Sequence, residues 1–390
     1  MKHTLAHIAV NARLLLPYST EGISRYAHEV LSRMVQRHPE IRFSFLFDRP
    51  FDQRFIYGPN VDPYVIPPQA RHPFLWYVWF HHMLKRKLKS LQPSLFFSPE
   101  FYLSPVPDIP KIAVFHDIAY EYFPRDTPPL ASSYLRYFSP RYAQLADHIL
   151  TVSNHCRQDL IQRYQLAPYK VTVSYNGNSS EFQPISVLRK HEVRTQYTGG
   201  ARYFLFVGTI QPRKNLSRLL LAFDRFRQQT EEEVKLLIVG KKGWQYRGIY
   251  ETHANMRFRE DVIFTGPKYG EELNALYAAS IGLTFVPYFE GFGLPILEAM
   301  CAETAIICAS VTCMPEVYGR AALEVDPFHP EEISAAMLRL SKEPLLREML
   351  IRKGRSQRQK FSWDRTYEGV WKVLQRYLTL DQSCECLSEG

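Results

Sequence analysis

Apolar and polar positions alternate along this chain in two successive rounds of short apolar runs and helix-spaced stripes. In the first round, His7–Asn11, Arg42–Phe47, Lys111–Phe115, His148–Val152 and Val171–Tyr175 read as strands. Ile23–Gln36 places Ile23, Tyr26, Ala27, Val30, Leu31 and Met34 on one helical face, and a second helix follows Ser153-Asn154 to about Tyr164. The second round begins at Tyr203–Val207 and continues through Val234–Val239, Val262–Thr265, Ile281–Pro287, Ala305–Ala309 and Ala321–Val325. Helices are expected between them, near 216–228, 271–280 and 294–302. Near-continuous apolar strands separated by helices predict an α/β chain with parallel sheets covered on both faces. The polar, strand-poor stretch 182–202 separates the rounds, which predicts domains over 1–185 and 195–364 and a disordered tail over 380–390. Two such domains facing one another leave a cleft between strand ends, where ligands of these folds bind. His116, Ser153, Asn176, Lys214, Lys241 and Glu290 all fall at predicted strand ends.

Composition narrows the partners. A chain of 390 residues with 46% hydrophobic and 22% charged residues has the profile of a soluble two-domain protein. Its formal charge of +9 favours a phosphate-bearing partner such as a nucleotide or anionic lipid. Nucleic acid is disfavoured, because the basic residues are spread out and no DNA- or RNA-binding motif occurs. The six cysteines lack the spacing of a zinc site or disulfide scaffold, the N-terminus lacks a signal-peptide layout, and no apolar run reaches membrane-spanning length. A cytoplasmic location follows as the expectation.

The most informative stretch is Tyr288–Ala299. A strand-like run precedes it, Gly291 and Gly293 permit a sharp turn, and Pro295 stands in the first turn of the helix that follows. Free N–H groups and the helix dipole there make an anion site, flanked by Glu290 and Glu298. A nucleotide sugar, with phosphates and hydroxyls together, suits that combination; a plain strand–loop–helix connection with structural glycines is the alternative.

Several stretches in order resemble the retaining family 4 glycosyltransferases, whose GT-B fold pairs two Rossmann-like domains. Glu290 and Glu298 around Gly-Phe-Gly-Leu-Pro match the Glu-x7-Glu signature, and Val207–Asn215 matches the loop bearing the donor-phosphate cations. Glu21–Tyr26, Val114–Asp117, Thr151–Ser153 and Tyr175–Gly177 also stand in family order, and the likeness spans about residues 5 to 375. One departure is Asn178-Ser179-Ser180 after the Asn-Gly pair.

The resemblance implies a role for each matching residue. Arg213 and Lys214 hold the donor diphosphate, Glu290 meets the donor sugar, and Glu298 meets the ribose. Gly291, Phe292, Gly293 and Leu294 offer main-chain groups, Thr265 and Gly266 border the base, and Lys241 and Gly22 lie near phosphate. His116 positions and polarises at the reacting centre, with Asp117 as its competitor. No metal is expected, since cations stand in its place and the chain has no Asp-x-Asp, and no cofactor beyond the nucleotide-sugar substrate. The segment after Phe361-Ser362-Trp363 is similar to the family's C-terminal helix, about 365–378, which crosses back to the first domain. The flavour of the motifs leans to a mannosyltransferase using GDP-mannose and a saccharide or lipid-linked acceptor. A UDP-sugar enzyme, a nucleotide-sugar epimerase, and a silent sugar-nucleotide or membrane-binding protein are the alternatives.

The acceptor side is carried by Arg71–Ser90, where an aromatic segment joins a basic one, as in helices that contact anionic lipid. The alternative is a helix with its rings in the core and its basic end in water.

Overall fold

The computed structural model describes residues 6–16 and 22–385. Two compact units share the chain: one runs to Gly177 and resumes at Trp363, the other is Asn178–Ser362.

The first unit is built on seven parallel strands: β1 His7–Asn11, β2 Arg42–Phe47, β3 Val61–Val65, β4 Leu95–Ser98, β5 Lys111–Phe115, β6 His148–Thr151 and β7 Val171–Val173, in spatial order β3-β2-β1-β4-β5-β6-β7. Its helices are α1 Gly22–Arg37, α2 Pro73–Val78, α3 Leu84–Leu91, α4 Ala119–Tyr122, α5 Pro129–Leu145 and α6 Asn154–Tyr164. The apolar face of α1 predicted from spacing is the buried one, with Tyr26, Ala27, Val30, Leu31 and Met34 inside. Each large side chain so buried contributes about 1.5–3 kcal/mol. Two strands lie outside the predicted set. β3 contains Pro63, which an edge strand tolerates, and β4 has only four residues.

The second unit adds α7 Val187–Thr198, then six parallel strands: β8 Arg202–Val207, β9 Val234–Val239, β10 Val262–Gly266, β11 Gly282–Phe285, β12 Ile306–Ala309 and β13 Leu323–Val325. Their order is β10-β9-β8-β11-β12-β13. The helices between and after them are α8 Leu216–Gln228, α9 Arg247–Ala254, α10 Gly270–Ala279, α11 Leu294–Cys301, α12 Met314–Tyr318, α13 Pro330–Lys342 and α14 Pro344–Gln357.

The division falls before the polar stretch 182–202 rather than inside it, so the expected domains 1–185 and 195–364 shift. Most of that stretch is α7, tied to its own unit by Gln183 N–H donating to Asn274 Oδ1 (2.9 Å) and Arg194 Nε to the Ala279 carbonyl (2.9 Å). The last helix, α15 Trp363–Glu385, returns to the first unit and packs on α1, as the resemblance implies for 365–378. Its helical span ends at Glu385; residues 386–390 of the expected tail 380–390 lie outside the described residues.

The segment 71–90 divides its rings between core and surface. Trp79 and Phe80, in the wide turn joining α2 to α3, are fully buried with Leu84 and Leu88.

Candidate active site

In each sheet the strand order reverses once, between β1 and β4 in the first unit and between β8 and β11 in the second. Open α/β sheets bind ligands beyond the strand ends at such a reversal. In the second unit the two loops there are the ones singled out from sequence. The loop after β8 carries Arg213 and Lys214 in a short 3-10 turn, Pro212–Lys214, and the loop after β11 carries Glu290.

The two loops meet directly. Lys214 Nζ donates to Glu290 Oε1 at 2.5 Å, and Arg213 Nη1 lies 3.8 Å from Glu290 Oε2 and 3.3 Å from the Phe289 carbonyl. The Lys214 ammonium also sits 5.4 Å from the Phe285 ring centroid. Asn215, left-handed at φ 61°, starts α8 and ties down the loops after β11 and β13 by donating to the carbonyls of Val286 (2.9 Å) and Pro327 (2.6 Å). Cys313 Sγ donates to the Glu290 carbonyl at 3.1 Å. Cations and carboxylate are thus held by buried main-chain anchors on three sides.

Gly293 needs its glycine. Its φ is 89°, and a Cβ there meets Ile296 Cδ1 at 3.0 Å and Phe285 Cε1 at 3.2 Å. With Gly291, Phe292 and Leu294 it delivers the chain from Glu290 to the N-terminus of α11. Glu298 follows within α11 and accepts a 2.8 Å hydrogen bond from the Tyr277 hydroxyl. Gly240 is the other tight point, because a Cβ there falls 1.9 Å from the Gly208 carbonyl oxygen. That closeness binds the ends of β8, β9 and β10: Ile210 N–H donates to the Lys241 carbonyl (2.8 Å) and Gly240 N–H to the Gly266 carbonyl (3.1 Å). Lys241 itself is exposed, and Thr265 Oγ1 donates to the Gly266 carbonyl at 3.0 Å beside a shift in strand register.

The first unit carries the remaining predicted residues. His116, just past β5, donates from Nε2 to the Pro99 carbonyl at 2.9 Å and stands edge-on to Tyr26 at 4.9 Å. A carbonyl can only accept, so Nε2 bears the proton and Nδ1 offers a lone pair. Burial pushes the imidazole pKa down, outweighing the Pro99 hydrogen bond and the charges of Asp117 and Glu100, so the ring is neutral near pH 7. Asp117 accepts from Ala119 N–H at 3.0 Å and serves the start of α4. Gly22 opens α1 and is exposed; Glu21, part of the same motif, lies outside the described residues.

Sequence reading missed a buried cluster at this unit's own reversal. Arg13 donates to both carboxylate oxygens of Glu100, from Nε at 2.5 Å and Nη2 at 2.7 Å, and from Nη1 to the Ala70 carbonyl at 3.2 Å. Asn11 Nδ2 donates to Glu100 Oε1 at 2.7 Å. The signal was Ser98-Pro99-Glu100, a carboxylate at the end of an apolar run too short to read as a strand. Among the described residues no cluster of metal-ligating side chains occurs.

Two parallel-sheet units, with a cation pair and a glutamate at the reversal of the second, define a GT-B glycosyltransferase. The fold is that of sucrose-phosphate synthase from Thermosynechococcus elongatus, with a TM-score of 0.77, 16% identity and coverage of 96% of this chain and 100% of that one. Residues 20–181 match the Glycosyltransferase Family 4 model and 189–357 the model for glycosyl transferases group 1. An O-antigen chain mannosyltransferase B of Escherichia coli is 30% identical over 71% of this chain and 73% of its own. The O-antigen chain mannosyltransferase RfbU of Salmonella typhimurium is 24% identical over 73% and 76%. The chain belongs to the group 1, family 4 glycosyltransferases.

Proposed function

We propose that this enzyme transfers mannose from GDP-mannose, with retention at the anomeric carbon, to a saccharide on a lipid carrier during cell-surface polysaccharide synthesis. The observation that carries the reading is Lys214 and Arg213 meeting Glu290 at the sheet reversal of a group 1 glycosyltransferase. Both relatives named above are called O-antigen mannosyltransferases, which supports the sugar and the pathway class.

Lys214 and Arg213 hold the diphosphate and neutralise the charge that grows on it as the glycosidic C–O bond breaks. Main-chain N–H groups of Gly291, Phe292, Gly293 and Leu294 take further donor oxygens, and Lys241 approaches the phosphates. Glu290 accepts from sugar hydroxyls and Glu298 from the ribose; Thr265 and Gly266 border the base. On the first unit, the exposed start of α1 at Gly22 is open to phosphate. The neutral His116, with Nδ1 free to accept, orients the acceptor hydroxyl. As the acceptor oxygen bonds to the anomeric carbon, the departing diphosphate oxygen takes its proton on the same face. Neither a metal nor a cofactor takes part; the nucleotide sugar is a substrate. The enzyme works at the cytoplasmic face of the membrane as a peripheral protein.

A thermal-shift panel of GDP-mannose, UDP-glucose and ADP-glucose tests the donor. GDP-mannose at about a hundred times its Kd is expected to stabilise by about 2.7 kcal/mol. Stabilisation by UDP-glucose and not by GDP-mannose rejects the mannose reading. Transfer is expected to persist in EDTA; loss restored by Mg²⁺ or Mn²⁺ rejects metal-free chemistry.

A further inference from the structure

We propose that the apolar groove between α2 and α5 is a docking surface for an anionic lipid bilayer. The proposal deepens the reading of a transferase with a lipid-borne acceptor and rests on it for its setting. The groove measures about 460 Å³ and is lined by Pro73, Phe74, Tyr77, Leu130, Tyr137 and Phe138 among others, with no charged side chain in its lining. Its rim leaves four large apolar side chains in solvent: Phe74 is 67% exposed, Leu130 57%, Tyr137 54% and Tyr77 40%. In the same helical stretch Trp79 and Phe80 are packed away. The segment therefore has two ring faces, one for the core and one uncovered.

Charge decides what covers the second face. Tyr77 meets Phe138 at 5.8 Å, and His81 meets Phe138 at 5.2 Å and Tyr142 at 5.9 Å, so the two helices run side by side in the same direction. Each passes from apolar at its start to basic at its end. Along α2 and α3 the order is Phe74, Tyr77, then His81 and His82, then Lys85, Arg86 and Lys89; along α5 it is Leu130, then Arg136 next to Tyr137, then Arg141. The junction is continuous: His81 stacks on Tyr77 at 4.6 Å, and the Arg141 guanidinium lies 3.6 Å from the Tyr137 ring centroid. Arg86, Lys89 and Arg141 are exposed. Phe and Tyr at a headgroup boundary, beside lysines and arginines that meet anionic phosphates, are the chemistry of a surface-bound helix. Among the described residues no helix is long and apolar enough to cross a membrane, so the contact is one of lying on the bilayer.

Flotation of the full chain with vesicles of phosphatidylcholine, with and without phosphatidylglycerol, tests the proposal. The wild type is expected to float with the anionic vesicles and not with the neutral ones. The exposed triple variant Phe74→Ser/Leu130→Ser/Tyr137→Ser is expected to lose at least about tenfold in partition, and Arg86→Ser/Lys89→Ser/Arg141→Ser to lose binding and its salt sensitivity. Both keep the donor-induced thermal shift, which separates lost docking from lost folding. Equal flotation of wild type and triple variant overturns the proposal, as does a wild type that ignores anionic vesicles. A dimer that the triple variant dissociates, with no flotation, assigns the groove to a second copy and also overturns it. If flotation follows the expected pattern while no nucleotide sugar shifts the melting curve, docking stands and the donor reading falls.

Discussion

The two sheets reverse strand order in the same way, and each reversal holds a buried ion pair, but the pairs differ in how far their hydrogen bonds are used up. Arg13 grips both oxygens of Glu100, spends a further N–H on the Ala70 carbonyl, and lies 4.8 Å from the Tyr102 ring centroid, while Asn11 adds another donor to the carboxylate. Lys214 reaches one oxygen of Glu290, and among the described residues that is the one acceptor its ammonium has for three protons. A carboxylate gripped through both oxygens, with a further donor on it and a further acceptor on the arginine, is held fast and fits a scaffold role. A cation that keeps unused donors at a strand end suits the phosphate-binding role proposed for Lys214. Equivalent places in two similar sheets thus hold pairs with different hydrogen-bonding demands left over.

The sharpest way to break this contrast is to remove one cation from each pair. Arg13→Ala leaves Glu100 buried without its partner and is expected to cost about 3–5 kcal/mol of stability, read by urea unfolding. Lys214→Ala is expected to leave the unfolding midpoint near the wild-type value and to lower turnover about 10²–10³-fold. A stable but inactive Arg13→Ala moves that pair into the chemistry. A Lys214→Ala that unfolds reduces the second pair to scaffolding.

Acid separates the units in a second way. In the first unit burial lowers the pKa of His7, His81, His116 and His148, with His81 and His148 brought down to about 4. Each imidazole is neutral when folded and takes up its proton near pH 6.5 when unfolded, so the unfolded chain binds more protons between about pH 6.5 and 4. Their contribution to stability is complete above pH 6.5 and is lost as pH falls through that window. Hydrogen exchange at descending pH is therefore expected to open the first unit before the second; protection that falls first around β8–β11 contradicts this.

Much of the second unit was legible because its chemistry is local in sequence. Long apolar strands run straight into glycine turns, and the family resemblance picked out Arg213, Lys214 and Glu290 there before their meeting was visible. The first unit hides its counterpart. β4 is four residues long, β3 is interrupted by Pro63, and Arg13 and Glu100 stand 87 positions apart. Only sheet pairing brings them together. Periodicity likewise could not divide the rings of 71–90 between core and surface, since the wide turn at Trp79–Met83 changes which face they occupy.

The finest test concerns Glu298, the carboxylate proposed for the ribose. The Tyr277 ring is fully buried and its hydroxyl donates to Glu298 Oε2 at 2.8 Å, so Tyr277→Phe removes a hydrogen bond and keeps the packing. A carboxylate that loses one fixed donor is less well aimed at a ligand, and a bond to a charged group is worth about 1.5–3 kcal/mol. KM for the donor is expected to rise about tenfold with kcat little changed, the pattern of binding lost equally from ground and transition states. A fall in kcat at constant KM places Glu298 at the reacting centre instead. No change in either makes the tyrosine a core ring whose hydroxyl is incidental. Between those outcomes, the size of the KM change measures how much of the site's aim comes from α10, the helix behind it, rather than from the two loops that carry the charges.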